Sequence, residues 1–397
     1  MTPFFQFLIA IIIIIACAKI GGYVSLKLGF PSVLGELTVG ILLGPSVFDL
    51  FHSPLFSDEH LLEGIAHLAE LGVIMLMFIA GLDLHLTDLA KSFKVSALAG
   101  TLGVLLPLTM GYGFTRAFSF DEQAAIFTGL ILAATSVSIS AQTLMEMKVL
   151  RSRVGISLLG AAVFDDVLVV LGLSIFVALV IGAGTTWNVV WIFLRMLIFV
   201  GIATSIGWVF LPKVSQKVDD LPISQGLLAF VLIGTLFYAW AAEVLGGMAA
   251  ITGAFLAGLL FARSPSKDRI EAGMSSLAFS IFVPIFFVNV GLVANIRLLT
   301  GDNLWLVLGM ILVAIISKVL GSGIGARLAG LTNLESIQLG AGMTSRGEVG
   351  LIVANVGIVE GLIGPDIFAT VVGVVIATTL LTPAMLRILF TRSKATD

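Results

Sequence analysis

The sequence predicts an all-α polytopic membrane protein with about thirteen transmembrane helices, inverted repeats and two crossed discontinuous helices. Of its 397 residues, 58% are hydrophobic and only 11% are charged, whereas a soluble domain carries roughly 25% charged residues. Apolar windows of about 20 residues, each long enough to cross a bilayer, recur along the whole chain. Two pairs of segments also resemble each other about seven spans apart, and an odd offset puts the members of a pair in opposite orientations.

The predicted spans follow one another with only short polar or Gly/Pro-rich segments between them. The first span is longer than the apolar core of a signal peptide and lacks a basic leader, so we interpret it as a membrane helix. No loop is long enough for a soluble domain, and residues 1–397 are therefore predicted to form one membrane domain. The spans are expected near 4–26, 33–50, 62–83, 94–116, 122–146, 153–183, 188–211, 222–241, 245–262, 272–293, 303–326, 334–358 and 364–390.

The basic residues indicate the orientation. Nearly all the Lys and Arg residues outside the spans fall in one set of alternate loops, and the other set holds only Arg116 and Arg297. Cytoplasmic loops carry an excess of Lys and Arg. The N-terminus is therefore predicted to lie outside and the C-terminus in the cytoplasm, in the cell (inner) membrane.

An internal repeat links the two halves of the chain. "LGVIMLMFIAGLDLHL" (72–87) resembles "VPIFFVNVGLVANIRL" (283–298), and "GELTVGILLGPS" (35–46) resembles "GAFLAGLLFARSP" (253–265). Inverted repeats of this kind are typical of secondary transporters. If the repeat holds, the fifth and twelfth spans correspond to each other.

The fifth and twelfth spans are unusually polar at mid-depth, in "AATSVSISAQT" and "GAGMTSRGEVG". We predict that both helices unwind there and cross, with Thr135 and Ser136 in the first unwound segment. Arg346 and Glu348 are then expected to neutralise the ends of the broken helices. The other hydroxyl groups of the fifth span are equally compatible with hydrogen bonds to their own helix.

Asp165 and Asp166 are adjacent within the apolar segment "LLGAAVFDDVLVVLGL". A charge near the bilayer centre costs about 3 kcal/mol or more, so such residues indicate an ion or proton pathway. Neighbours on a helix point about 100° apart, so one acid can pair with a buried cation while the other faces water. Lys318 is the available cation, since Arg195 lies nearer the end of its span. The alternative is an inert ion pair that fixes helix packing, which leaves the second acid unexplained.

Glu36 begins a span, and two interpretations stay open: it caps that helix, or it lines a cytoplasmic funnel. The single cysteine, Cys17, excludes an intramolecular disulfide and a cysteine-rich metal site. The four histidines form no ligand cluster in the sequence. No cofactor and no nucleic-acid partner are expected.

Four motifs occur in order: "ATSVSIS", "LGAAVFDDV", "SKVLGSGIGA" and "SRGEVGLIVANVG". Together they resemble the bacterial Na+/H+ antiporters of the monovalent cation:proton antiporter superfamily, in particular the NapA-like branch. The resemblance covers nearly the whole chain. It implies that Asp166 carries the ion, that Asp165 pairs with Lys318, and that Thr135 and Ser136 lie by the site. Asp165 and Asp166 would then be the groups that hold the monovalent cation.

The resemblance also implies a homodimer whose protomers each combine a dimerisation scaffold with a six-helix core. The core is expected at about 62–183 and 272–390, and the scaffold at about 1–50 and 188–262.

Related potassium-efflux systems have Gln-Asp at the acidic pair and a nucleotide-binding domain after the membrane part. This chain has two aspartates there and stops shortly after Lys394, so electrogenic exchange without nucleotide gating is expected.

The sequence thus predicts a secondary antiporter, not an enzyme, that exchanges Na+ (or Li+ or K+) for protons and serves pH homeostasis. Protons and cations would compete for a buried aspartate. A K+/H+ antiporter of the same family and a gated cation channel stay open as alternatives. A bile-acid-type anion symporter is disfavoured because the acids would repel its substrate. An intramembrane aspartyl protease needs its acids on different helices with a Gly-x-Gly-Asp motif, and 299–302 reads Leu-Thr-Gly-Asp.

Overall fold

The computed structural model describes residues 1–176, 186–295, 297, 304–359 and 361–393. Throughout these residues the regular secondary structure is helical, which confirms the predicted fold class. A 3-10 turn lies at Leu50–His52, and π-helical turns lie at Ala242–Gly246 and Ala278–Phe282. The α-helices are α1 (Pro3–Lys27), α2 (Ser32–Leu43), α3 (Leu61–Leu82), α4 (Leu86–Lys91), α5 (Phe93–Ala117), α6 (Glu122–Ala133), α7 (Val137–Glu146), α8 (Arg153–Phe176), α9 (Thr186–Asp219), α10 (Gly226–Ala241), α11 (Ala250–Phe261), α12 (Lys267–Leu277), α13 (Val283–Val293), α14 (Leu304–Leu328), α15 (Asn333–Gly342), α16 (Glu348–Val359) and α17 (Pro365–Ser393).

Ten helical stretches among the described residues are long and apolar enough to cross a membrane. Two shorter apolar helices, α2 and α11, lie at the second and ninth predicted spans, and the α15–α16 pair lies at the twelfth. The end of the sixth predicted span, residues 177–183, is outside the described part of the chain. The total of thirteen spans stays a prediction.

The helices pack into two groups. The α11 group comprises α1–α3 and α10–α13, and the α8 group comprises α5–α8 and α14–α17. The sequence placed 62–83 and 272–293 with the core, but in the structure α3 packs most extensively against α11 and α13, and α13 against α2 and α3. The helix that carries the two aspartates packs instead with α5. Which helices move together stays a prediction.

Glycines allow α14 to lie unusually close to α5. A Cβ atom on Gly321 would lie 2.4 Å from the carbonyl oxygen of Leu102, and one on Gly325 would lie 2.3 Å from that of Leu98. Small residues at such spacing let membrane helices approach at backbone distance. Because α5 also packs on α8, this close approach brings Lys318 within reach of Asp165.

Ion pairs join loops that the sequence assigns to one side of the membrane. Arg151, before α8, contacts Asp83, after α3, at 2.5 Å. Arg269, at the start of α12, pairs with Asp219, at the end of α9. These loops therefore meet at one end of the bundle, which we call the basic end.

Candidate ion-binding site

Two helices are interrupted in the middle of the α8 group. The first break separates α6 from α7 at 134–136, where the backbone of Ala134 and Ser136 is extended. The second separates α15 from α16 at 343–347. Both breaks coincide with the polar segments of the fifth and twelfth predicted spans, which confirms that these two helices are discontinuous.

The two breaks lie against each other. The backbone N–H of Ser136 donates to the carbonyl of Ser345 at 3.0 Å, and the hydroxyl of Ser140 donates to the carbonyl of Gly342 at 2.5 Å. A Cβ atom on Gly347 would lie 2.6 Å from the hydroxyl oxygen of Ser136, so a larger residue there would force the breaks apart. The discontinuous helices therefore cross, as the repeat predicts.

Arg346 lies within the second break and is fully buried. Its Nη1 donates to the carbonyls of Met343 and Thr344, both at 3.3 Å. These are carbonyls at the C-terminal end of α15, where the helix dipole is negative. Arg346 also interacts electrostatically with Asp165, so its charge serves both the broken helix and the acid. Glu348 begins α16, but its side chain is outside the described part of the chain.

Asp165 and Lys318 form a buried ion pair. Lys318 Nζ donates to Asp165 Oδ1 at 2.6 Å, and the two side chains are 0% and 1% exposed. Within the described residues, Asp165 Oδ2 has no hydrogen-bond partner. Arg195, the other cation considered, donates instead to the carbonyls of Val244 and Leu245 beyond α10.

Asp166 faces a different environment from its neighbour. Its Oδ2 accepts a hydrogen bond from the hydroxyl of Thr252 in α11 at 3.2 Å. Both residues line a cavity of about 10 Å³, which has room for about one water molecule. The separation of the two acids follows from their adjacency on one helix.

Thr135 and Ser136 are buried in the first break, immediately before the start of α7. The hydroxyl of Thr135 lies 3.5 Å from the carbonyl of Ala133, and that of Ser136 lies 3.0 Å from the hydroxyl of Ser138. The next residue, Val137, lines the Asp166 cavity. The start of α7, where the helix dipole is positive, therefore adjoins the Asp166 cavity.

Glu36 is the fifth residue of α2, 6% exposed, and lines a cavity of about 380 Å³ that also contacts Lys19, Gln142 and Glu146. The start of α2 is occupied by another acid. Glu146 of α7 accepts from the backbone N–H of Ser32 at 2.6 Å and from its hydroxyl at 2.7 Å. In this structure Glu36 therefore lines a cavity and does not cap its helix.

Sequence reasoning did not single out Thr252, Glu146 or Glu70. Glu70 is an exposed acid of α3 that lines a further cavity of about 190 Å³ with Asn289 and Leu351. Glu146 could have been identified from the sequence, because it is an acid at the end of the polar fifth span. The sequence carries no signal for Thr252, because a lone hydroxyl in an apolar helix is usually bonded to its own backbone.

We expect Glu146→Ala to lower the melting temperature, because it leaves the first N–H of α2 without its acceptor across a helix–helix contact. Removing a charged hydrogen-bond partner of this kind costs about 1–3 kcal/mol. Thermal unfolding in detergent measures the effect, with Glu59→Ala in an exposed loop as the control. Equal melting temperatures for the two variants would show that the contact contributes nothing to stability.

The chain matches the family model described as "Sodium/hydrogen exchanger, transmembrane" over residues 11–392. It is 37% identical to the Na(+)/H(+)-K(+) antiporter GerN of Bacillus cereus, over 97% of each chain. It is 33% identical to a Na(+)/H(+) antiporter of Enterococcus hirae, over 96% of this chain and 97% of that one. The fold is similar to the structure of the sodium proton antiporter MjNhaP1 from Methanocaldococcus jannaschii, with a TM-score of 0.70 at 17% identity over 97% and 96% of the two chains.

Proposed function

This chain belongs to the sodium/hydrogen exchanger family, and we propose that it exchanges Na+ for protons across the cell membrane. The observation that carries the proposal is the pair of adjacent acids with unlike surroundings. Asp165 is paired with Lys318, whereas Asp166 lines a small cavity at the start of α7. The likeness of the chain to antiporters of B. cereus and E. hirae over nearly their whole length supports the same function.

Exchange would arise from competition at Asp166. A carboxylate binds one proton or one monovalent cation, and the cavity beside it has room for a single small ligand. The positive end of α7 and the hydroxyl of Thr252 favour the ionised carboxylate that a cation needs. Thr135 and Ser136 lie in the adjoining break and would supply further oxygen ligands to the cation.

The Asp165–Lys318 pair would link proton movement to cation binding. A buried ion pair is weak evidence for stability, because desolvation offsets most of the attraction. Its retention in the interior is therefore better explained by transport. Lys318 interacts electrostatically with both Asp165 and Asp166, so a change of charge at one member of this group would affect the others. Release of a proton from this group in addition to the one at Asp166 would make exchange electrogenic.

Alternating access would be a movement of the α8 group against the α11 group. Contacts that cross this boundary, such as Thr252 with Asp166 and Ser32 with Glu146, would differ between the two orientations. We place the basic end in the cytoplasm because cytoplasmic loops are enriched in Lys and Arg. The Glu36 cavity would then be part of the cytoplasmic funnel, and helices of the α11 group would form the homodimer scaffold.

Exchange of K+ for protons is the second candidate, supported by the similarity of the chain to GerN, a Na(+)/H(+)-K(+) antiporter. Na+ and K+ differ in the coordination geometry they accept, and one carboxylate with a few hydroxyl groups is chemically compatible with either ion.

The two functions can be separated in proteoliposomes that hold a pH gradient and a pH-sensitive dye. We expect Na+ and Li+ to dissipate the gradient with saturable kinetics, and K+ and Rb+ to have little effect. Saturable responses to K+ would favour the second candidate. A flux that rises linearly with cation concentration and needs no pH gradient would indicate a channel and contradict antiport.

A further inference from the structure

We propose that Thr252 is a ligand of the transported cation, supplied by the α11 group, and that it makes the affinity of the site differ between the two faces of the membrane. This inference rests on the proposed exchange at Asp166. It adds a residue outside the two broken helices and the acidic pair.

The contact is direct. Thr252 Oγ1 lies 3.2 Å from Asp166 Oδ2, and both side chains line the same cavity. A ligand of Asp166 within this cavity is therefore also within reach of the Thr252 hydroxyl.

The lining of the cavity restricts the choice of ligands. Of its nine residues, Asp166 and Thr252 are the two with side-chain oxygens, and the others are apolar, among them Met77, Val137 and Phe255. A dehydrated Na+ needs oxygen ligands. Among the residues that line this cavity, Thr252 is the one besides Asp166 whose side chain carries an oxygen. A hydroxyl suits both cargoes, because it donates to an ionised carboxylate, accepts from a protonated one and presents a lone pair to a cation.

The hydroxyl of Thr252 has a different kind of partner from the hydroxyls of Thr235 and Thr128. Thr235 in α10 and Thr128 in α6 donate to the carbonyl four residues earlier, at 2.8 and 2.7 Å. Thr252 lies in the first turn of α11, three residues after the N-cap residue Ala249. Its hydroxyl donates a hydrogen bond to Asp166 on another helix. A hydrogen bond to the backbone of its own helix, the usual role of a helical threonine, therefore does not explain this residue.

The two partners belong to different packing groups. Asp166 lies on α8, which packs against α5, whereas α11 packs against α3 and α10. A movement of one group against the other separates the hydroxyl from the carboxylate. The site would therefore have the Thr252 oxygen in one orientation and lack it in the other. Loss of a hydrogen bond to a charged group corresponds to about tenfold or more in affinity.

The test measures the half-saturating Na+ concentration separately at each face, in proteoliposomes of defined protein orientation. We expect Thr252→Val, which keeps the shape of the side chain, to raise this concentration about tenfold at one face and to leave the other face unchanged. Thr252→Ser should restore the wild-type value, since serine retains the hydroxyl. Thr235→Val in α10 is the matched control, because its hydroxyl bonds within its own helix.

Equal changes at both faces, or no change at either, would overturn the inference. Thr252→Ala serves as a second variant, and it should reproduce the one-sided loss. These results are distinct from failure of the proposed function, in which the wild-type protein would show no saturable exchange at either face.

Discussion

Asp166→Asn is expected to reduce Na+-driven proton movement to the level of protein-free liposomes. Asparagine has nearly the same shape and can still accept the hydrogen bond from Thr252. It cannot take up a proton at neutral pH, and it lacks the charge that attracts a cation into the apolar cavity. Both halves of the exchange cycle are therefore lost, while the packing of α8 is preserved. The effect is measured as the recovery of the fluorescence of a pH-sensitive dye after Na+ is added to proteoliposomes that contain the protein.

Asp268→Asn is the matched control, since Asp268 is an exposed acid at the start of α12. It should leave exchange unchanged. Normal rates in the Asp166→Asn variant would eliminate Asp166 as the carrier and would leave Asp165 as the acid to test next.

The features that could be predicted from the sequence are the charged and polar side chains whose desolvation in a membrane is costly. Charged residues are rare in apolar helices because burial is costly, so Lys318 and the two aspartates stood out. The structure brings Lys318 and Asp165 together at 2.6 Å. Hydroxyl and glycine runs at mid-depth likewise mark helices that cannot stay regular, and both breaks occur where these runs do. These parts of the site can therefore be predicted from the sequence, because charged and polar residues are costly in the interior of a bilayer.

The remaining features depend on tertiary packing that no local pattern encodes. Repeat similarity relates 72–87 to 283–298, but it does not say which helices pack beside α3 and α13. The interpretation of Glu36 depended on Glu146, more than a hundred residues away, which occupies the start of α2. Thr252 is an ordinary residue for the first turn of a helix, and only the position of α11 beside α8 gives it a partner.

Lys318→Ala is expected to destabilise the protein and to remove the voltage dependence of exchange. The substitution leaves the buried Asp165 carboxylate without its cation, and breaking a buried pair in this way costs about 3–5 kcal/mol. Arg346 interacts electrostatically with Asp165 and should offset part of this loss. Thermal unfolding in detergent measures stability, and turnover at imposed membrane potentials measures voltage dependence.

The double variant Asp165→Asn, Lys318→Gln separates the structural role of the pair from its role in transport. It removes both charges of the pair at once, so neither residue is left facing an uncompensated partner, and Arg346 keeps its hydrogen bonds to the carbonyls at the end of α15. Its melting temperature should therefore exceed that of Lys318→Ala. If the pair supplies the additional proton, exchange in the double variant should continue at Asp166 but no longer respond to membrane potential. Wild-type melting together with wild-type voltage dependence in Lys318→Ala would refute the pairing as a functional unit. Recovered stability with retained voltage dependence in the double variant would instead confine the pair to helix packing, and the additional proton would have to come from another group.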